Sequence, residues 1–114
     1  MRALLVSLFT SLVGLGVVGC ATAPRPLVTQ DGHELDADLW ARDAAAIQTR
    51  AAFEFSCPKE SLHLTVLNAG IHMDRVDSAV GRATEVGVEA CGHRAVYVYL
   101  SQNGEWLMNT EGKP

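Results

Sequence analysis

The sequence is short of several things at once. Aromatic residues make up only 6% of it, and no block of lysine and arginine occurs anywhere. Nucleic-acid binding rests on neutralising phosphates, so a chain with a net charge of −4 and no basic cluster has no electrostatic footprint for that partner. No uninterrupted apolar run reaches the roughly 20 residues that a permanent membrane-crossing helix needs. Three cysteines are present, none in a Cys-x-x-Cys pair, so thiol exchange lacks its usual motif. At 114 residues the chain is short of the size at which a second domain is expected, yet has enough aliphatic residues to build one small core.

Signatures of catalysis are missing in the same way. There is no Gly-x-Ser-x-Gly to place a nucleophile on a strained turn, and no His-Glu-x-x-His to hold zinc. Gly14, Gly16 and Gly19 do not form a phosphate-cradling loop, because they sit within or just after the first apolar stretch. Glu85 and Glu89 are four apart in a segment that alternates, and so share one face of a strand as ordinary solubilising charges. Four histidines occur, at positions 33, 63, 72 and 93. They read as solvated surface histidines, with a weak metal site drawn from His63, His72 and Asp74 as the alternative. No catalytic residue, resident metal or cofactor is implied, and a non-enzymatic protein is expected.

What is present begins at the N-terminus. Met1-Arg2 supplies one positive charge, and Ala3 to Val18 contains none. The order of charged start, apolar middle and small residues is that of a secretory leader. Val17-Val18-Gly19-Cys20 resembles a lipobox, the cleavage site of bacterial lipoprotein precursors. An ordinary leader that happens to contain Cys20 is the alternative. The resemblance implies cleavage before Cys20, a diacylglycerol on its sulfur and often an acylated amine, which together anchor stably where a single acyl chain binds reversibly. Ala21 in place of Asp favours the outer membrane over the inner one, so the expected address is the cell envelope, on the periplasmic face of the outer membrane.

On this reading residues 1–19 are the signal peptide and the mature chain has 95 residues. Residues 20–34, with Pro24, Pro26 and Gly32, read as the lipidated N-terminus and an extended tether of reach no greater than about 46 Å. A compact unit is expected over 35–110 and a short tail over 111–114. From Asp36 to Phe55 the pattern is helical, with Trp40, Ala44, Ile47, Ala51 and Phe55 forming one stripe. Pro58 disfavours helical geometry at Cys57 and ends the helix near Ser56, before a turn over 58–61. The period then changes to two over 62–67, 85–90 and 95–100, each a half-buried strand. Cys91 to Arg94 is expected to turn between the second and third of these. Asn103-Gly104 suits a hairpin turn into a last strand near Trp106-Leu107-Met108. Residues 68–83 are ambiguous, with 73–80 either a short helix or an exposed loop. The fold class is α+β: one amphipathic helix on an antiparallel sheet of three to four strands.

With Cys20 consumed by lipid, Cys57 and Cys91 remain. Outside the cytoplasm such a pair in a small domain most often forms a disulfide, and a redox role is the alternative. The bridge would tie the end of the helix to the hairpin turn. Closing a loop of about 35 residues contributes roughly 4 kcal/mol in the chain-entropy model. The segments Ala51-Ala52-Phe53-Glu54-Phe55-Ser56-Cys57-Pro58 and Cys91-Gly92-His93-Arg94-Ala95-Val96-Tyr97-Val98 resemble a group of small secreted or lipid-anchored proteins of predatory soil bacteria. The likeness covers residues 51–99, with a departure in spacing over 67–86. It implies the same fold and disulfide, and nothing about mechanism.

For recognition the candidates are Tyr97, Tyr99 and Trp106. If the valines at 96 and 98 face the helix, the tyrosines form an exposed aromatic face for a protein or glycan. If the tyrosines are core, the valines face outward. The expected partners are membrane lipid through Cys20 and an envelope protein or cell-wall component. A small metal-assisted envelope enzyme and a structural or sensory accessory of a membrane complex are the competing readings.

Overall fold

The computed structural model describes residues 25–73 and 79–112, together with Gly14 and Gly16. Cys20 and the leader therefore lie outside the described residues. The elements in chain order are β1 (Leu27–Gln30), β2 (His33–Asp36), α1 (Ala37–Glu54), a short 3-10 turn (Lys59–Ser61), β3 (Leu62–Met73), β4 (Ala79–Ala90), β5 (His93–Leu100) and β6 (Glu105–Gly112). β3 to β6 form one antiparallel meander in sequence order, and β1 pairs with β2 as a separate hairpin. One helix on antiparallel sheet, stapled by one disulfide, is the expected α+β class.

The first difference is at the N-terminal side. Residues 27–36, assigned in the main to the tether, fold into β1 and β2, and Leu35 is fully buried in the core. The compact unit thus begins near Pro26, whose carbonyl accepts from the Ala37 amide at 2.9 Å. The physical reason is Asp31-Gly32: both residues have positive φ (50° and 81°), the geometry of a two-residue hairpin turn that matches strand twist. The stretch also alternates, Leu27-Val28-Thr29-Gln30 then His33-Glu34-Leu35-Asp36, but each arm has only four residues. At the other end β6 runs to Gly112, two residues past the expected boundary.

α1 starts where Asp36 caps it, its Oδ1 accepting from the Leu39 amide at 2.9 Å. Its buried face is Leu39, Asp43, Ile47 and Ala51: Ile47 and Ala51 belong to the stripe read from sequence, Leu39 and Asp43 are buried in place of Trp40 and Ala44, and Trp40 and Phe55 pack at the margin. The helix ends in a Schellman arrangement: the Cys57 amide donates to Ala52 O (3.0 Å), the Ser56 amide to Phe53 O, and Ser56 takes a left-handed φ of 47°. That turn aims Cys57 at the sheet. Cys91 and Gly92 (φ 49° and 84°) make the two-residue turn between β4 and β5, and the Cys57–Cys91 bridge closes across a Cα–Cα distance of 5.9 Å.

Of the stretch 68–83, ambiguous in sequence, residues 68–73 and 79–83 extend β3 and β4 to 12 residues each; the choice between short helix and exposed loop over 73–80 falls mainly on 74–78, outside the described residues. Register shifts at Val66, Asn68 and Ala69 break the strict alternation, which is why the period of two fades after Leu67. The core lies between the sheet on one side and α1 with β2 on the other, built from Leu35, Ile47, Val66, Val86, Val88 and Tyr97. The loop after β5 has four residues, Ser101 to Gly104, not a tight Asn-Gly turn. Gly104 supplies the positive φ of 66°, and its amide donates to Leu100 O at 2.8 Å.

Candidate functional site

The aromatic candidates resolve against an exposed face. Tyr97 is 0% exposed and Trp106 4%, and Tyr99 is half-buried with its ring 5.5 Å from that of Trp106. The strand alternates as expected, but the large rings fill the space under α1 while Val96 and Val98 take the outer face. Tyr97 keeps its hydroxyl satisfied by donating to Glu54 Oε2 at 2.9 Å. Of the proposed aromatic binding face, Tyr97 and Trp106 are therefore core and Tyr99 packs at its margin, because a small domain with few aromatics needs their volume inside.

Under the rings lies a buried ionic cluster that sequence reasoning missed. Asp43, only 4% exposed, accepts from Arg82 at both carboxylate oxygens (Nη2 to Oδ1 2.7 Å, Nε to Oδ2 3.1 Å). Trp106 Nε1 donates to the same Oδ1 at 3.1 Å. The Arg82 guanidinium stacks 3.6 Å above the centre of the Tyr99 ring. A bidentate pair with a cation–π contact satisfies both charges. The cluster ties α1 to β4, β5 and β6, and its groups are consumed by one another. The signal that could have found it is spacing: Asp43 stands at i+4 from Leu39 and i−4 from Ile47, so a helix face through Leu39 and Ile47 carries a carboxylate.

The histidines do not assemble. His63 and His72 lie nine residues apart on β3, opposite Glu89 and Val80, hence roughly 30 Å from each other along the strand. They cannot share an ion, which removes the metal site read from that pair; Asp74 lies outside the described residues. Among the described residues no group of three His, Cys, Asp or Glu could hold a metal. His93 stacks on Phe55 with ring centres 5.0 Å apart, beside the disulfide. Glu89 is paired with Arg94 at 3.5 Å, both exposed.

What remains open is the outer face of the sheet. Thr65, Leu67, Gly87, Glu89, Arg94 and Val96 surround a concavity of about 320 Å³. Its floor is apolar, with Leu67 48% exposed and Gly87 leaving room beneath it, and its rim carries the Glu89–Arg94 pair. The open edges of the sheet are touched by side chains: Asp31 Oδ2 accepts from the Val66 amide at 2.7 Å, and Arg50 Nη1 donates to Trp106 O at 3.0 Å. Such contacts occupy edge groups that would otherwise template another strand. Among the described residues no helix is long and apolar enough to cross a membrane. Comparison with protein-family models, curated proteins and solved structures gives no match for this chain.

Proposed function

We propose that the chain is a lipid-anchored envelope protein, held through Cys20 at the periplasmic face of the outer membrane, that works as a non-enzymatic accessory by binding another envelope protein. The observation that carries this reading is the Cys57–Cys91 bridge. A structural disulfide between helix end and hairpin turn is typical of an oxidising compartment, which agrees with an export leader ending in Val17-Val18-Gly19-Cys20. The outer sheet face supports the partner class. Tyr97 and Trp106, two of the three rings considered for stacking on a glycan, are buried in the core. An apolar floor of Leu67 and Val96 with a mixed-charge rim suits a protein surface.

The test is cross-linking of the chain in intact cells, with partners identified by mass. A discrete partner captured by the parent protein and lost from Leu67→Lys, with unfolding temperature unchanged, is the expected result. Equal capture by Leu67→Lys and Val96→Lys would show that this face is not the binding surface.

A further inference from the structure

Of the asparagines at 68, 103 and 109, only Asn103 precedes a glycine. That pair carries chemistry of its own. The amide nitrogen that follows an asparagine can attack the side-chain amide carbon, and glycine hinders the approach least because it has no Cβ. Asn103 and Gly104 stand in the loop between β5 and β6, residues 101–104, and all four residues of it are exposed to water.

The fold acts on the attacking atom. The Gly104 amide donates to Leu100 O at 2.8 Å, and the Asn103 amide donates to the same oxygen at 3.2 Å. The loop is closed beneath them by the Leu100–Glu105 register pair. To attack, the Gly104 nitrogen must lose the proton that this hydrogen bond holds and move onto Asn103 Cγ, so the loop has to open first. Two residues further on, Trp106 fastens the edge strand β6 to α1. Its indole Nε1 donates to Asp43 Oδ1, and its carbonyl accepts from Arg50 Nη1. Exposed chemistry is thus held by buried contacts.

We propose that Asn103 is a spontaneous modification site that the β5–β6 loop keeps shut, so that its conversion to isoaspartate follows the opening of β6. In the open loop the Gly104 nitrogen bonds to Asn103 Cγ, the Cγ–Nδ2 bond breaks, and ammonia leaves with the proton lost by the Gly104 amide. The cyclic imide then takes up one water. Cleavage at Cγ leaves aspartate, and cleavage at the main-chain carbonyl leaves isoaspartate, with the chain running through Cβ and Cγ. Either product adds a negative charge beside Glu105. Isoaspartate also lengthens by a methylene a loop that closes on Leu100 O, and so loosens the register that sets Trp106 against Tyr99.

Ageing of the purified full-length protein at mildly alkaline pH tests this, folded in buffer and unfolded in guanidinium chloride. Peptide masses follow Asn68, Asn103 and Asn109, and enzymatic methylation counts isoaspartate. Unfolded, Asn103 converts several-fold faster than Asn68 or Asn109. Folded, it converts at least about tenfold slower than unfolded, as a loop open less than about a tenth of the time requires. Arg50→Ala, which releases the Trp106 carbonyl, speeds conversion several-fold in the folded protein. Equal rates for Asn103 in the folded and unfolded parent overturn the gate, and that comparison decides it even where Arg50→Ala does not fold. An Asn103 no faster than Asn68 in the unfolded chain overturns the site itself. A folded Arg50→Ala protein that ages no faster than the parent overturns the link to β6.

Discussion

At the scale of single residues, two positions carry more of the fold than their types suggest. Asp43 is a carboxylate on the buried stripe of α1, held by the Arg82 fork and Trp106 Nε1. Truncating it leaves the Arg82 guanidinium, whose side chain is only 11% exposed, without its counter-charge. Breaking one side of such a pair costs about 3–5 kcal/mol. Asp43→Ala is therefore expected to lower the thermal midpoint by upward of about 12 °C in a domain of this size. A double change, Asp43→Leu with Arg82→Met, removes both charges and is expected to recover a large part of that loss; a double variant as unstable as Asp43→Ala contradicts the account. Ser56 is the second position. Its left-handed φ of 47° costs an L residue roughly 1–2 kcal/mol, and glycine escapes that cost while losing some unfolded-state entropy. Ser56→Gly should stabilise by about 0.5–1 kcal/mol in chemical denaturation.

At the scale of elements, the contact that matters most is β2 riding over β4. A Cβ at Gly81 would collide with the Glu34 carbonyl oxygen, and backbone cannot yield as a flexible side chain does. Gly81→Ala is expected to cost about 1–3 kcal/mol as overpacking. Amide exchange should speed up selectively over 27–36, where the hairpin loosens. Uniformly faster exchange across the domain, or none, speaks against β2 as a separately docked layer. The helix, the strands 62–67, 85–90 and 95–100 and the last strand were legible because each keeps a clean period over six or more residues or carries a turn signal. The β1–β2 hairpin was hidden by the prolines before it and by arms of four residues, although Asp31-Gly32 is a strong turn signal. The strand character of 68–73 and 79–83 was hidden by the register shifts at Val66 to Ala69, which scramble the alternation by which a strand is recognised. The tyrosines posed a different problem: alternation separates two faces of β5 but does not say which is inside. Only the volume to be filled under α1 decides that.

At the scale of the whole molecule, the Cys57–Cys91 bridge joins the far end of the helix to the β4–β5 turn across 34 positions of sequence. Removing that cross-link releases about 4 kcal/mol of loop-closure entropy to the unfolded chain. Cys57→Ser, or reduction of the parent protein, should shift the denaturation midpoint downward accordingly, and an unchanged midpoint would deny the bridge its structural role. With the bridge at one end and the chain entry at the other, the molecule has a polarity that the sequence alone hid, because it depends on where α1 and β2 lie along the sheet. The candidate binding site was the least legible part. Of the aromatic residues that attract attention in the sequence, Tyr97 and Trp106 are core and Tyr99 packs at its margin, and the open face is made of Thr65, Leu67, Gly87 and Val96, residue types that carry no recognisable motif. The whole functional account hangs on anchoring through Cys20. The most direct test is the intact mass of the protein extracted from the membranes of cells that produce it. The account predicts a chain that starts at Cys20, lacks residues 1–19, and carries a diacylglycerol on that sulfur. A chain that begins at any other residue, or one with a free Cys20 thiol, contradicts it.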